Sequence, residues 1–175
     1  MRIGFIYNRL QERNAGPPAC ALYPLTWSLA ESFRWIDDKT FEIKLRQGVR
    51  FQNRPPVNGR EMVASDVVFN LTKVAAKGVW IPDVPQALER AEAVDRYTVR
   101  LYLKQPFAVL PGRVVHDRTH IYAPEAVGDD LKIERGEEHV GTGPFMLKED
   151  VPGVKTVLTR NPNYWEKGLP YLDEI

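Results

Sequence analysis

The stretch Val140–Ile175, VGTGPFMLKEDVPGVKTVLTRNPNYWEKGLPYLDEI, decides the reading of the fold. Gly141, Gly143 and Pro144 predict a stiff, close-packed turn, because glycine reaches backbone angles closed to other residues and proline fixes the exit. A strand is expected from Phe145 to Lys148, a turn at Val151-Pro152-Gly153, and a second strand from Val154 to Arg160. Asn161-Pro162-Asn163 stops that strand, since proline has no N–H to give to a ladder. Tyr164 and Trp165 follow as a large apolar anchor.

Working outward, the same kind of reading predicts more hairpins. Phe41, Ile43 and Leu45 alternate with Glu42, Lys44 and Arg46, the period of a strand with one buried face. Asp37-Asp38-Lys39-Thr40 is a tight turn, so a hairpin is expected over Arg34–Leu45. Val49-Arg50-Phe51 reads as a further short strand. The segment Ile36–Leu45 rhymes with Val94–Leu103: apolar, Asp, two turn residues, Thr, then alternation ending in Leu. This predicts a second hairpin over Ala93–Leu103 with the same turn chemistry. Convergence on one good turn and duplication explain the rhyme equally well. On this phase Phe41, Ile43, Leu45, Val99, Leu101 and Leu103 are core, and Glu42, Lys44 and Arg100 are more exposed.

Between the hairpins lies the clearest helix, Ala64–Ala76. Val67, Val68, Leu71, Val74 and Ala75 recur at helical spacing, Ser65 and Asp66 favour the first turn, and Gly78 marks the stop. Val63 stands where an N-cap acceptor belongs, so this start is expected to fray or to be capped by another residue. Pro85–Arg90 reads as a helical turn. Phe107–Val115 reads as a short helix broken by Pro111-Gly112. Ile121–Val127 reads as a strand followed by a helix, and the charged run from Gly128 to His139 as a mobile loop.

Composition bounds the function. The chain has 175 residues, 43% hydrophobic and 27% charged, which suits one domain or one lobe of a larger protein. A formal net charge of +1 gives no argument for nucleic acid or an anionic membrane surface. No apolar run approaches the roughly 20 residues of a membrane helix, and Met1–Tyr7 has no signal-peptide core. The single cysteine, Cys20, allows no internal disulfide and reads as an ordinary free or half-buried thiol.

Catalytic constellations do not emerge. There is no nucleophile elbow, no phosphate loop and no His-Glu-x-x-His. Asp37 and Asp38 are turn residues, and Gly141-x-Gly143 lacks the third glycine and the helix of a dinucleotide loop. His116 and His120 are four residues apart and share a face in either a helix or a strand. A metal site would need further ligands, and the remaining histidine, His139, lies beyond a charged loop. Trp27 and Trp35 read as structural. Trp80, in a Gly-Val-Trp-Ile-Pro loop, is either a lid over core or a stacking surface for a ligand.

Taken together, Gly141-Thr142-Gly143-Pro144-Phe145, Arg160-Asn161-Pro162-Asn163-Tyr164-Trp165, Leu29-Ala30-Glu31-Ser32-Phe33 and Leu45-Arg46-Gln47-Gly48-Val49-Arg50-Phe51 resemble the extracellular solute-binding proteins of ABC importers. The class is that of oligopeptide, dipeptide and nickel binders, family 5. Phe33 replaces the family's usual Trp. The resemblance runs from about Ile6 to Ile175. It implies a mixed α+β fold, the first-lobe portion of a type II periplasmic-binding-protein fold with antiparallel hairpins and packed helices. It also implies three parts: 1–32 as the start of the first lobe, 33–139 as an inserted α+β subdomain, and 140–175 as the return to the core. Family members are longer, with a second lobe across a cleft, so a portion of a two-lobed protein is expected. The implied function is capture of peptides or similar small polar solutes for a membrane permease, without catalysis and without a cofactor or metal. Contact with a membrane would come only through the permease or a lipid anchor, and the location would be periplasmic or cell-surface. The resemblance points to an aromatic in the loop at Trp80 and, counting back from Pro124, to the basic candidates Arg118 and His120, so Trp80, Arg118, His120 and Tyr122 are expected to be ligand-binding. The competing readings are a stand-alone protein-interaction domain and a metal-dependent hydrolase using His116, His120 and Glu125 or Asp117.

Overall fold

A computed structural model describes residues 3–13, 25–78, 83–116, 119–127 and 139–175. The expectations for the turn-rich piece Asn14–Pro18, for Cys20, for Trp80, Asp117 and Arg118, and for the charged run 128–138 lie outside those residues.

The alternating sequences form a four-stranded antiparallel sheet. Strands β3 (Ala30–Asp37) and β4 (Thr40–Leu45) are one hairpin, β5 (Leu88–Ala93) and β6 (Thr98–Leu103) the other, and the order is β3-β4-β6-β5. The two strands with the cleanest alternation, β4 and β6, therefore pair in the centre, with Phe41 opposite Leu101 and Ile43 opposite Val99. Their inward residues, Phe41, Ile43, Leu45, Val99, Leu101 and Leu103, are all buried. The sequence rhyme is a real shared turn. The Asp37 carboxylate accepts from the Lys39 N–H at 2.8 Å, and Asp95 accepts from the Tyr97 N–H at 2.7 Å.

One outward residue departs from the expected phase. Glu42 is only 9% exposed, held between Arg34 at 2.7 Å and Arg100 at 2.8 Å. Cross-strand pairing explains this: Glu42 sits opposite Arg34 on one side and Arg100 on the other. Two neighbouring guanidinium groups cover its carboxylate. The Arg100 hydrogen bond, with Arg34 in support, holds the Glu42 carboxyl below the usual range.

Helix α1 (Ala64–Phe69) packs against β5 and β6. Its N-cap, Val63, makes no side-chain cap bond; instead the Asp66 carboxylate reaches back to the Val63 N–H at 2.8 Å. The helix then widens into a π-helical turn, Asn70–Val74, before ending near Gly78, whose φ of 76° suits glycine. Short helices α2 (Asp83–Ala87), α3 (Leu110–Val114) and α4 (Pro124–Val127) follow.

Four local readings change. Val49–Phe51 is no strand, only a bridge from Arg50 to Glu61. After α2 the chain turns extended at Leu88, within the stretch expected to be helical. Pro111-Gly112 lies inside α3 and does not break it, because the first helical turn has no intrahelical use for the proline N–H. The segment Ile121–Ala123 forms no strand and is anchored by the Asn8 backbone carbonyl and the Asn70 side chain.

A second small sheet pairs β1 (Gln11–Arg13) with β2 (Leu25–Trp27), and a third pairs β7 (Phe145–Val151) with β8 (Lys155–Arg160). The Gly141–Pro144 turn joins chain segments distant in sequence. The Gly143 N–H donates to the Ile6 carbonyl at 2.8 Å. A Cβ on Gly143 would lie 2.6 Å from the Ile6 carbonyl carbon, and one on Gly141 would lie 2.1 Å from the Ile6 oxygen. Beneath this contact, fully buried Gln52 donates to the Phe145 carbonyl at 2.7 Å and also reaches the carbonyls of Ile6 and Gly143.

Candidate functional site

Three segments meet around Tyr7: Ile6–Asn8, Thr119–Ala123 and His139–Gly143. The Gly turn sets the position of the first against the third. The second is held by two asparagines. Asn8 lends its backbone carbonyl to the Ile121 N–H at 3.1 Å. Asn70, in the π-helical turn and fully buried, clamps Tyr122 from both sides of the peptide: its amide donates to the Tyr122 carbonyl at 2.7 Å and its oxygen accepts from the Tyr122 N–H at 3.1 Å. Arg60 adds a charged tie, gripping Asp66 of α1 and Glu125 of α4, each at 2.7 Å.

The result is an aromatic and imidazole cluster. The Tyr7 ring lies 4.7 Å from that of Tyr122, 6.2 Å from His120 and 6.0 Å from His139, and all four residues are buried. The Tyr7 hydroxyl is 3.1 Å from His139 Nδ1. Burial raises the Tyr7 hydroxyl far above its ordinary value, and pushes Tyr122 up to about 12. Burial lowers His139 below the usual histidine value. The tyrosines are therefore protonated and His139 neutral at neutral pH, an arrangement suited to hydrogen bonding and stacking.

Of the sequence-predicted site residues, His120 and Tyr122 meet here, on the same side of the molecule as Tyr7. Trp80 and Arg118 fall outside the described residues. His116 stands at the end of α3, its carbonyl accepting from the Thr119 N–H at 2.9 Å. Among the described residues no three His, Cys, Asp or Glu side chains gather as a metal cage.

Sequence reasoning missed Asn8, Asn70 and His139 as builders of this cluster. Asn8 carried no signal of its own in the sequence. In space its side-chain oxygen accepts from Thr142 and from the Trp165 indole, each at 3.3 Å. Trp165 thus anchors the end of the chain to its beginning.

A concavity of about 940 Å³ is lined by Trp27, Glu31, Arg46, Trp165 and Lys167 among others. Arg46 stacks 4.7 Å over the Trp165 ring and donates to the Ser28 carbonyl at 3.0 Å. Trp27 and Trp35, expected to be structural, are 44% and 38% exposed. Trp27 packs edge-on against Phe33 and Trp35 packs tilted against Phe41.

Comparison with known proteins gives a consistent family. The profile of the bacterial extracellular solute-binding proteins, family 5 Middle, matches residues 25–175. The glutathione-binding protein GsiB of Shigella boydii is 35% identical over 154 residues, covering 84% of this chain and 28% of the relative. The oligopeptide-binding protein AppA of Bacillus subtilis, solved with a nonapeptide, superposes on 98% of this chain and 33% of its own, with 26% identity and a TM-score of 0.79. The periplasmic binding protein DppA of Helicobacter pylori, solved with the peptide STSA, covers 98% of this chain and 36% of its own, with 26% identity and a TM-score of 0.76. The chain thus spans about a third of the length of the proteins it matches.

Proposed function

Because the chain belongs to the bacterial extracellular solute-binding proteins of family 5, we propose that it forms one wall of a cleft that captures a peptide-like or similarly polar small solute for an ABC permease. The observation that carries this reading is the superposition of nearly the whole chain on proteins solved with peptides in place. GsiB, a glutathione-binding protein, supports the same class, since glutathione is itself a small peptide.

On this reading 1–32 and 140–175 build the core of a first lobe and 33–139 is a subdomain inserted into it. The protein acts outside the cytoplasm, without catalysis. Trp80, Arg118, His120 and Tyr122 face the cleft, where aromatic rings stack on the solute and Arg118 steers its charge. Solute capture proceeds by closure of a second lobe over this wall, followed by docking on the permease. A single wall buries only part of a solute and leaves its charged ends unpaired, so the chain by itself binds weakly.

Calorimetry tests this with dipeptides, tripeptides and glutathione, on the 175-residue chain and on the full-length protein. The full-length protein is expected to bind at least one of these solutes. Trp80→Ala and Arg118→Ala are each expected to weaken binding about tenfold, the worth of one good polar or stacking contact. Submicromolar binding by the chain alone would sink the one-wall argument. Unchanged affinity in both variants would move the contacts elsewhere.

A further inference from the structure

Three aromatic rings, those of Trp27, Tyr164 and Trp165, line the concavity of about 940 Å³, which shares no lining residue with the Tyr7 cluster. Indoles are highly buried on average, yet Trp27 is exposed. Its ring rests edge-on against Phe33, with 5.1 Å between centroids. The chain therefore holds this ring in place without covering it. The walls are fixed as well. The Leu29 N–H donates to the Arg9 carbonyl at 3.1 Å, the Arg46 N–H to the Leu29 carbonyl at 2.9 Å, and the Tyr164 N–H to the Asn161 carbonyl at 3.2 Å. The volume falls within the range of small-molecule sites, roughly 300–1,000 Å³.

The polar lining has hydrogen-bonding capacity that the chain itself does not use. The side chains of Glu31, Gln47, Glu166 and Lys167 make no hydrogen bond or ion pair among the described residues. Arg46 stacks over Trp165 and donates from Nε to the Ser28 carbonyl, while its two terminal amino groups have no partner among the described residues. Carboxylate, carboxamide and guanidinium groups are planar, and each presents two adjacent hydrogen-bonding atoms on one edge. Such an edge matches two neighbouring hydroxyls of one ligand.

Charge narrows the class of ligand. Glu12 is paired at 2.7 Å with Arg9, which stands outside the lining. The other charged groups balance, Glu31 and Glu166 against Arg46 and Lys167. A ligand of either sign would meet two like charges, with no net opposite charge to offset its desolvation. A neutral ligand meets neither cost. It has to bring an apolar face to the indole and neighbouring hydroxyls to the planar edges. A pyranose ring has both, C–H bonds across its face and hydroxyls around its rim. We propose that this concavity is a saccharide-binding site, in which a sugar ring stacks on Trp27 and its neighbouring hydroxyls bond to Glu31, Gln47 and Arg46. It shares none of the residues assigned above to the solute cleft. Hydroxyls donate to the carboxylate and accept from the guanidinium, and such bonds are stronger than neutral ones because one partner is charged. The stack supplies attraction, and the planar edges supply selectivity among sugars.

The test uses full-length protein labelled with 5-fluorotryptophan, with maltotriose, cellotriose and tri-N-acetylchitotriose as probes. Trp27→Phe identifies the Trp27 ¹⁹F signal. At least one trisaccharide is expected to move that signal and to saturate it in the millimolar range. Trp27→Ala is expected to weaken binding about tenfold, and Glu31→Ala and Gln47→Ala about threefold each. Glu31 and Gln47 are exposed, so these two variants keep the test readable even if Trp27→Ala fails to fold. A Trp27 signal that none of the trisaccharides moves overturns the proposal. Full affinity in both Glu31→Ala and Gln47→Ala also overturns it, because the response is then bare stacking on an exposed indole. A response to Nα-acetylarginine amide and to no trisaccharide overturns it in favour of a cation site. Free oligosaccharides and envelope glycan carry the same chemistry. Trp27-dependent co-sedimentation with purified peptidoglycan assigns a confirmed site to envelope glycan, and its absence assigns the site to free oligosaccharides.

Discussion

At the scale of single residues, the buried polar groups set how the protein responds to acid. His139 has a folded-state value below its ordinary 6.5, because burial disfavours the charged ring. As pH falls below about 6.5, the unfolded chain takes up this proton before the folded one. The stability contributed by the neutral ring is therefore complete above that value and is lost as pH drops toward the folded value. Glu42 works in a lower window. Its carboxyl is depressed by Arg100 and Arg34, so its contribution is complete above about 4.5 and is lost as pH falls through the depressed value. Urea midpoints measured from pH 7.5 to 5 are expected to fall more steeply for the wild type than for His139→Phe. Equal slopes would mean that the imidazole is not buried as a neutral group.

At the scale of elements, packing direction outweighs local preference. The sheet face built by β4 and β6 is fully buried in the core, with Leu101 opposite Phe41. Leu101→Ala is expected to cost about 2–5 kcal/mol in a denaturant titration, while Lys44→Ala, on the exposed face of the neighbouring strand, stays within about 0.5 kcal/mol. Similar losses in both variants would put the strands in the wrong phase. The segment Thr119–Ala123 shows the reverse case. It carries His120 and Tyr122 but belongs to no sheet: the Asn70 side chain pairs both backbone groups of Tyr122, while the Thr119 and Ile121 N–H groups go to the backbone carbonyls of His116 and Asn8. The π-helical turn that contains Asn70 is a departure from regular helix at the point where helix and cluster are joined.

At the scale of the whole molecule, the Gly141–Gly143 contact with Ile6 closes the chain on itself, with Trp165 and Asn8 as a second tie. Gly143→Ala would force a methyl group into the Ile6 backbone, where no flexible side chain can yield. This substitution is expected to destabilise by about 3 kcal/mol and to disturb the Tyr7 cluster, read as a change in Tyr7 and His139 chemical shifts. A full-strength cluster signal in a folded Gly143→Ala protein would show that the turn does not position the site.

Much of the fold was written locally. Alternation in Phe41–Leu45 and Val99–Leu103, the Asp turns before them, the helical spacing from Val67 to Ala75 and the glycine turn each depend on residues close together in the chain. Their period and their special backbone angles are enough to name the element. The glycine turn, with Leu29–Phe33, Leu45–Phe51 and Arg160–Trp165, also supplied the family resemblance. What only the tertiary structure decided is the polar interior. That Glu42 is buried follows from two arginines on neighbouring strands. That Asn70 holds Tyr122, and that Tyr7 meets His139 across 132 positions, follows from segments brought together only when the chain closes. A polar side chain looks alike in sequence whether it faces solvent or a partner, because its burial depends on who arrives to pair with it, and that partner is chosen by the fold.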